Sequence, residues 1–487
     1  MEKWVTRELA EYAVGTRFED YPADVIEAAK ILLLDNIGCM LGGSQSKLGQ
    51  ATLKPIEQMG GSEEATLVGG RCKVPTIQAA FVNGTTANAL DYDEVLFGIG
   101  HPGSSIIPSA LAVAEWKGLS GKTVLDAILV GYDVGNVAEW KGLSGKTVLD
   151  AILVGYDVGN RIGIGIQPTP ERLQHVWGVG TWQTFSSVVA AAKALDFDLE
   201  TTMNAWGVAG ATAPLPNTQK WGWDLSERPL HWVKEPTGWP AWTGTTAAIL
   251  AANGFVGNKY ILDGHNGFWI MAGSDKCDYD VMTRGLGSEY EVLTNIAIKP
   301  YSACRWQHPT LDCVTMLKAE HDLSPEDIKA VNIHSFAWVK THELYGPADM
   351  VDAAFCIPYT VTQVLMGEPP GLGWYTAEKL ESEEILNFSK KVKVTVDQEM
   401  DRAYFAEDRL SARVEIVTEA GNTLEKYVKI PLGDPRNPLS KDEIETKFRS
   451  QAAHCLDPQT VDTVVDKIYD FENIEDISAF MPMLIAR

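Results

Sequence analysis

The chain has 487 residues, 45% of them hydrophobic and 22% charged, the balance of a soluble globular protein long enough for two or three domains with sizeable cores. Its 65 acidic against 41 basic residues give a formal charge of -24, a field that repels nucleic-acid backbone and anionic membrane surfaces. No uninterrupted apolar run approaches the roughly 20 residues of a membrane span, so neither nucleic acid nor membrane is expected as a partner, and an anionic small substrate has to be held by a local cluster of Lys, Arg and His.

The N-terminal stretch MEKWVTRELAEYAVGTRF lacks an apolar signal core and carries acidic residues that a transit segment avoids. The 7 cysteines are scattered and never in C-x-x-C spacing, which predicts a reducing, cytoplasmic setting with no disulfide framework, zinc knuckle or iron–sulfur cradle. From Thr6 to about Ala272 apolar residues recur at helical spacing, broken by Gly, Pro and polar loops. IEAAKILLLDNIGCMLGG predicts a helix with a Gly stop, TIQAAFVNGTTANALDYD a helix of small residues, and TWQTFSSVVAAAKALDFD and TTMNAWGVAGATAP two more. From about Asn295 to Pro435 strand-like runs (KAVNIHSF, KKVKVTVDQ, LSARVEIVTEAG, EKYVKIPL) alternate with helices. A closing helical stretch then opens at Ser440, an N-cap with Glu443 three residues on. The predicted fold is mainly α: a large helical domain over residues 1–294, an inserted smaller α+β unit over 295–435, and a helical return over 436–487.

One stretch stands twice. VAEWKGLSGKTVLDAILVGYDVGN occupies Val113–Asn136 and again, letter for letter, Val137–Asn160. Its GKT invites a phosphate-loop reading, but that loop needs Gly five positions before its final Gly, where Trp116 and Trp140 stand. The residues fit a core helix instead: Gly118 and Gly121 break one helix, Ser120 caps the next, and Val124, Leu125, Ile128, Leu129 and Tyr132 form its buried stripe. Repeat architectures stack diverged units, usually three or more, so two undiverged copies indicate a tandem duplication. An insert of that length turns a continuous helix by about 240° beyond whole turns and lengthens it by roughly 36 Å. It cannot extend the helix in register. The second helix copy, entering Arg161, is expected to keep the downstream contacts, with much of Lys122 to Lys141 displaced.

Chemistry concentrates elsewhere. In ALDYDEVLFGIGHPGSSIIPSALA, Asp91 and Asp93 end a helix and a Gly-broken loop delivers His101 before Pro-Gly-Ser-Ser opens the next helix. Backbone N–H groups at such a helix start suit an anion, and a His beside an Asp is an oriented acid/base pair, though such a pair in a loop is more often structural. His175, in RLQHVWGVGT, precedes another Gly-broken helix entry. Lys234 lies in the Trp-bearing stretch HWVKEPTGWPAWTGTTAA, where a Lys either binds a substrate carboxylate or snorkels to the surface. IAIKPYSACRWQHPTLDC brings Lys299, Arg305, His308 and Asp312 close in sequence. His308 and Asp312 have i,i+4 spacing, but no H-E-x-x-H or carboxylate triad accompanies them, and no metal is expected there.

Taken together, ALDYDE with GHPGSSIIPSALA, GLSGKTVLDAILVGYDVGNRI, LQHVWGVGT, WVKEPTGWPAWTGTTAAILAANGF, IAIKPYSACRWQHPTLD and AFCIPYTVTQVLMGE resemble the MmgE/PrpD family of 2-methylcitrate dehydratases, cis-aconitate decarboxylases and iminodisuccinate epimerases. The resemblance implies a helical domain with an inserted lid domain, a homodimer, and a cofactor-free site between the domains. It carries Asp91, His101, His175, Lys234, Lys299 and Tyr359 into that site, with Arg305 and His308 placed by their neighbourhood in the lid motif. It implies reaction at a carbon next to a carboxylate. Lys234, Lys299 and Arg305 would stabilise carbanion-like charge, His101, oriented by Asp91, would serve as acid or base, and His175 or Tyr359 would serve as the other.

Dehydration of a 2-methylcitrate-like hydroxy acid ranks first and epimerisation of a small dicarboxylate second. Decarboxylation ranks below dehydration because Val95 stands near where decarboxylase relatives carry a hydroxyl; a non-catalytic relative is the remaining alternative. Trp239 and Trp242 either face the pocket, shrinking it towards a substrate smaller than a tricarboxylate, or pack the core or dimer seam.

Overall fold

A computed structural model describes residues 4–96, 99–116, 143–173, 175–218, 230, 233–234 and 238–486. The protein is mainly α. Its larger core is built round the helix Ala23–Ser44, whose residues from Leu32 to Ser44 are all buried, as in a helix surrounded on every side. Gly42 and Gly43 do not stop this helix. They lie inside it, and a Cβ on Gly43 would collide with the Thr86 carbonyl, so that glycine serves the close crossing of the helix Thr76–Asn88.

The helices Gly103–Trp116, Gly145–Gly165 and Val179–Ala194 pack round the same core. Gly159 faces Ser186, where an added Cβ would also collide. The C-terminal helices Lys441–Ala452 and Pro458–Tyr469 return to this core through Ile444, Phe448, Val461 and Val464. Ser440 and Glu443 form the reciprocal cap expected of them. The buried Lys447 ammonium lies 2.6 Å from an Asp35 carboxylate oxygen, tying the returning helix to the central one.

A second core surrounds a four-stranded sheet. Its order is Thr423–Val428, Ala412–Thr418, Ile328–Ser335, Val392–Val396; the last pair is parallel and the others antiparallel. Ala412–Thr418 alternates buried and half-buried residues, the period of a sheet covered on one face. The helices His308–His321 and Ile357–Met366 cover that face with Leu311, Val314, Val361 and Leu365. A short antiparallel pairing of Val95–Leu96 with Ile296–Ala297 links the end of the first helical layer to the entry of this second unit.

The duplicated stretch divides in an informative way. The helix Gly103–Trp116 ends within the first copy, and the helix Gly145–Gly165 belongs to the second. Between them the Leu143 amide lies 3.4 Å from the Ala114 carbonyl. The described chain therefore uses VAEW from one copy and LSGKTVLDAILVGYDVGN from the other. Ser144 caps the second helix by accepting from the Thr147 amide, and Val148, Leu149, Ile152, Leu153 and Tyr156 are buried. Their counterparts Ser120 to Tyr132, and the stretch Lys122 to Lys141 expected to be displaced, lie outside the described residues.

Candidate active site

The helix Thr76–Asn88 delivers Asn88 and, after Ala89 and Leu90, Asp91. Asp91 has φ 51°, in the left-handed region that short polar side chains tolerate, and this turns the chain sharply after the helix. Leu96 and Gly100 then close a tight loop, the Leu96 amide donating to the Gly100 carbonyl at 2.7 Å, and His101 follows. Ser104 donates to the His101 carbonyl at 2.8 Å, and the Gly103 amide donates to the Glu94 carboxyl. The loop is thus fastened on both sides of the histidine.

Nδ1 of His101 is 3.0 Å from the Glu94 carbonyl and 3.3 Å from Asp93 Oδ1. Both are acceptors, which assigns the ring hydrogen to Nδ1 and leaves the lone pair on Nε2. Nε2 lies 3.8 Å from Asp91 Oδ1, beyond hydrogen-bond reach but close enough for ionic attraction once the ring is protonated. The expected orienting role of Asp91 therefore falls to Asp93 and the Glu94 carbonyl.

Asp91 is instead gripped by two lysines. Lys234 Nζ donates to Oδ1 at 2.6 Å, and Lys299 Nζ to Oδ2 at 2.9 Å as well as to the Asp91 carbonyl. Asn88 joins the two acidic residues: it accepts from Lys234 at 2.7 Å and donates to Asp93 at 2.7 Å. Burial alone would raise the Asp91 carboxyl, but Lys234, Lys299 and His101 overcome it and hold Asp91 well below its usual value. Asp93, equally buried, is likewise held low, chiefly by His101. Glu94 goes the other way. Burial, with Asp93 and Asp35 nearby, pushes it up to about 8, so it keeps its proton at neutral pH while Tyr156 donates to it at 3.0 Å.

These groups border a cavity of about 550 Å³, within the range of small-molecule sites. Asp91, His101, Lys234 and Arg305 are on its wall, and Lys299 is fully buried behind Asp91. Arg305 NH1 donates to the Leu432 carbonyl at 2.8 Å and meets His308 Nδ1 at 3.1 Å; burial lowers its guanidinium to about 10. His308 donates through Nε2 to the Ala303 carbonyl, and burial beside Arg305 holds it far below its usual range, as a neutral ring that fixes Arg305. Tyr359 is fully buried, with its hydroxyl donating to the Trp374 carbonyl. His175 is exposed, at the rim between the wall residues Leu173 and Trp177.

Trp239 and Trp242 stand apart from this wall. They pack on Phe81, with ring centroids 4.7 and 5.7 Å from it, and Trp239 is 46% exposed, so they do not narrow the cavity. Asp312, at i,i+4 spacing from His308, accepts from Tyr301 at 3.0 Å and from the Leu432 amide at 2.7 Å. Sequence reasoning passed over Glu94, whose role depends on burial, and over Asn88, His342 and Trp338, which come to the cavity from separate elements.

A family model of the MmgE/PrpD N-terminal domain matches residues 7–137 and 134–279, and one of the MmgE/PrpD C-terminal domain matches residues 301–470. The chain belongs to the MmgE/PrpD family. It is 25% identical to a cis-aconitate decarboxylase-like protein of Aspergillus oryzae over 99% of this chain and 97% of that one. It is 24% identical to a cis-aconitate decarboxylase of Aspergillus terreus, covering 99% and 96% of the two chains, and 23% identical to that of Mus musculus, covering 99% and 94%. For an MmgE/PrpD chain the two N-terminal matches are telling. The first runs to the end of one copy of the repeat and the second starts just ahead of the other, so the family pattern meets this segment twice.

Proposed function

We propose that the protein is a cofactor-independent lyase that eliminates water from a hydroxy polycarboxylate of the 2-methylcitrate type. The observation that carries this reading is the tautomer of His101: with Nδ1 committed to backbone and carboxylate acceptors, Nε2 is the basic atom at the cavity, beside a Lys234–Asp91–Lys299 cluster. In this reading Nε2 takes the proton from the carbon next to a carboxylate. The electron pair spreads onto the carboxylate oxygens, where Lys234 and Arg305 offset the charge. It then forms the carbon–carbon double bond as hydroxide leaves the neighbouring carbon.

His175, exposed between the wall residues Leu173 and Trp177, supplies the proton that makes the leaving group water; Tyr359, buried away from the wall with its hydroxyl on the Trp374 carbonyl, supports the fold. On these assignments His175→Ala slows turnover by about 10²-fold or more, while Tyr359→Phe shifts stability rather than the chemical step. Residues 295–435 are read as a lid over the site, and the molecule as a cytoplasmic homodimer, whose mass sedimentation equilibrium measures.

The named relatives favour decarboxylation as a second reading, whereas the apolar Val95 on the cavity wall favours dehydration. A panel of hydroxy and unsaturated polycarboxylates incubated with the protein separates the possibilities. Dehydration gives ultraviolet absorbance from a conjugated double bond and loss of one water by mass spectrometry. Carbon dioxide release from an unsaturated acid would replace this reading with decarboxylation. Solvent deuterium entering a substrate of unchanged composition would replace it with epimerisation.

A further inference from the structure

Besides the charged groups, the cavity is bounded by aromatic side chains that the elimination does not use. Trp306, Trp338, Phe355 and Phe405 all line it, and they come from four separate parts of the chain between 305 and 407. Trp306 and Trp338 stack, with centroids 5.6 Å apart at 15°. Phe405 continues the surface 6.2 Å from Trp338, and is 54% exposed. Tyr404 also lines the cavity and joins this surface to the core, stacking on Phe336 at 4.3 Å and meeting Phe405 edge-on at 5.1 Å.

Asp408 is on the wall at this side, near Tyr404, and repels a further carboxylate there. His342, between Trp306 and Phe355, receives a Gln307 amide hydrogen on Nδ1, and burial lowers it to about 3, so the ring is neutral at any ordinary pH. Gln307 is oriented by two further bonds, accepting from Thr360 at 2.6 Å and donating to the Ala354 carbonyl at 3.1 Å.

An acid of the citrate type is ionised and hydrated at each end. It gains little from aromatic faces, and wetting those faces is unfavourable. We propose that the substrate carries, besides its carboxylates, a neutral hydrocarbon substituent of several carbons that lies along Trp306, Trp338 and Phe405 while the carboxylates meet Lys234 and Arg305. This rests on the lyase reading for the charged end and names the substrate class for that same site. The occupant follows from continuity: the aromatic surface and the charged groups bound one cavity of about 550 Å³, so a single molecule anchored at one end reaches the other.

Calorimetric titration of the full-length protein with succinate, methylsuccinate, butylsuccinate and hexylsuccinate tests this without requiring turnover. Affinity should rise about three- to fourfold per buried methylene, reaching on the order of a hundredfold for butyl over succinate. Trp338→Ala and Phe405→Ala should flatten that dependence while leaving succinate binding unchanged; Phe405, being more than half exposed, can be truncated without threatening the fold. Equal affinity along the series, with binding that Lys234→Ala abolishes, would overturn the aromatic subsite and leave the charged end standing. Absence of binding by every member would overturn the charged end and the subsite with it. Chain-length dependence that survives both aromatic truncations would place the hydrocarbon elsewhere and overturn the assignment.

Discussion

The two ends of the cavity are built on opposite plans. The charged end is local in sequence: Asn88, Asp91, Asp93, Glu94 and His101 follow one another along a single helix end and loop, and Lys234 and Lys299 reach in to lock them. The aromatic end is assembled from separated segments round the second core, where Trp306, Trp338 and Phe405 meet across long stretches of chain. At the charged end a bound proton or a lost cation changes everything nearby; at the aromatic end, contact area and shape decide. The proposed chemistry would therefore belong to the first, and the proposed choice of substrate to the second.

The largest effect that sharpens this contrast is expected at His101. His101→Ala should lower turnover by about 10²–10⁴-fold, and should also lower the melting temperature, since buried Asp93 loses its chief counter-charge. Near-normal turnover would break the assignment of chemistry to the charged end.

Asp91 comes next. Asp91→Ala leaves two buried ammonium groups facing each other without their shared counter-ion, and should cost about 3–5 kcal/mol in denaturant unfolding, whereas Phe405→Ala should stay within about 0.5 kcal/mol, as exposed positions do. Comparable losses would erase the distinction.

The pH dependence is a finer test. Glu94 is raised to about 8 from an ordinary 4.5. Its contribution is fully present below its unfolded value and is lost as pH rises through 8, because over that window the folded chain holds a proton that the unfolded chain has released. Asp91, held low, contributes above its ordinary carboxylate range and loses that contribution as pH falls. Melting temperature should thus decline through Glu94 as pH rises from 4.5 to about 8, and Glu94→Gln, which keeps the shape without the titration, should flatten that slope. An unchanged slope over this window would remove Glu94 from the account.

The smallest effect concerns the repeat. Excising Lys117 to Trp140 joins Trp116 to Lys141 and restores one unbroken copy. Every described residue is retained, and the Leu143 amide stays beside the Ala114 carbonyl. Equal or slightly higher thermal stability is expected; a large loss would show that the excised residues carry core contacts.

What could be read from the sequence follows the same division. The helical body, the sheet strands and the Ser440 cap came from periodicity and local capping chemistry, which act over a few residues. The stretch from Asp91 to His101 was legible because its polar residues stand together among apolar ones. Glu94 was not, since nothing in DYDE separates a carboxyl that stays protonated from one that ionises until burial is known. Trp239 and Trp242 misdirected for a geometric reason: three apart on a helix they share one face, and that face meets Phe81 instead of the cavity. The true aromatic surface had no local signature, because Trp306, Trp338 and Phe405 meet only through the second core.

The bond from the Leu143 amide to the Ala114 carbonyl has a practical reach. It means that the backbone near Trp116 and the backbone at Leu143 lie next to each other. A junction of that kind is a natural port for grafting. A folded reporter whose own termini lie close together could replace Lys117 to Gly142 and be carried by the protein without drawing apart the helices that shape its core.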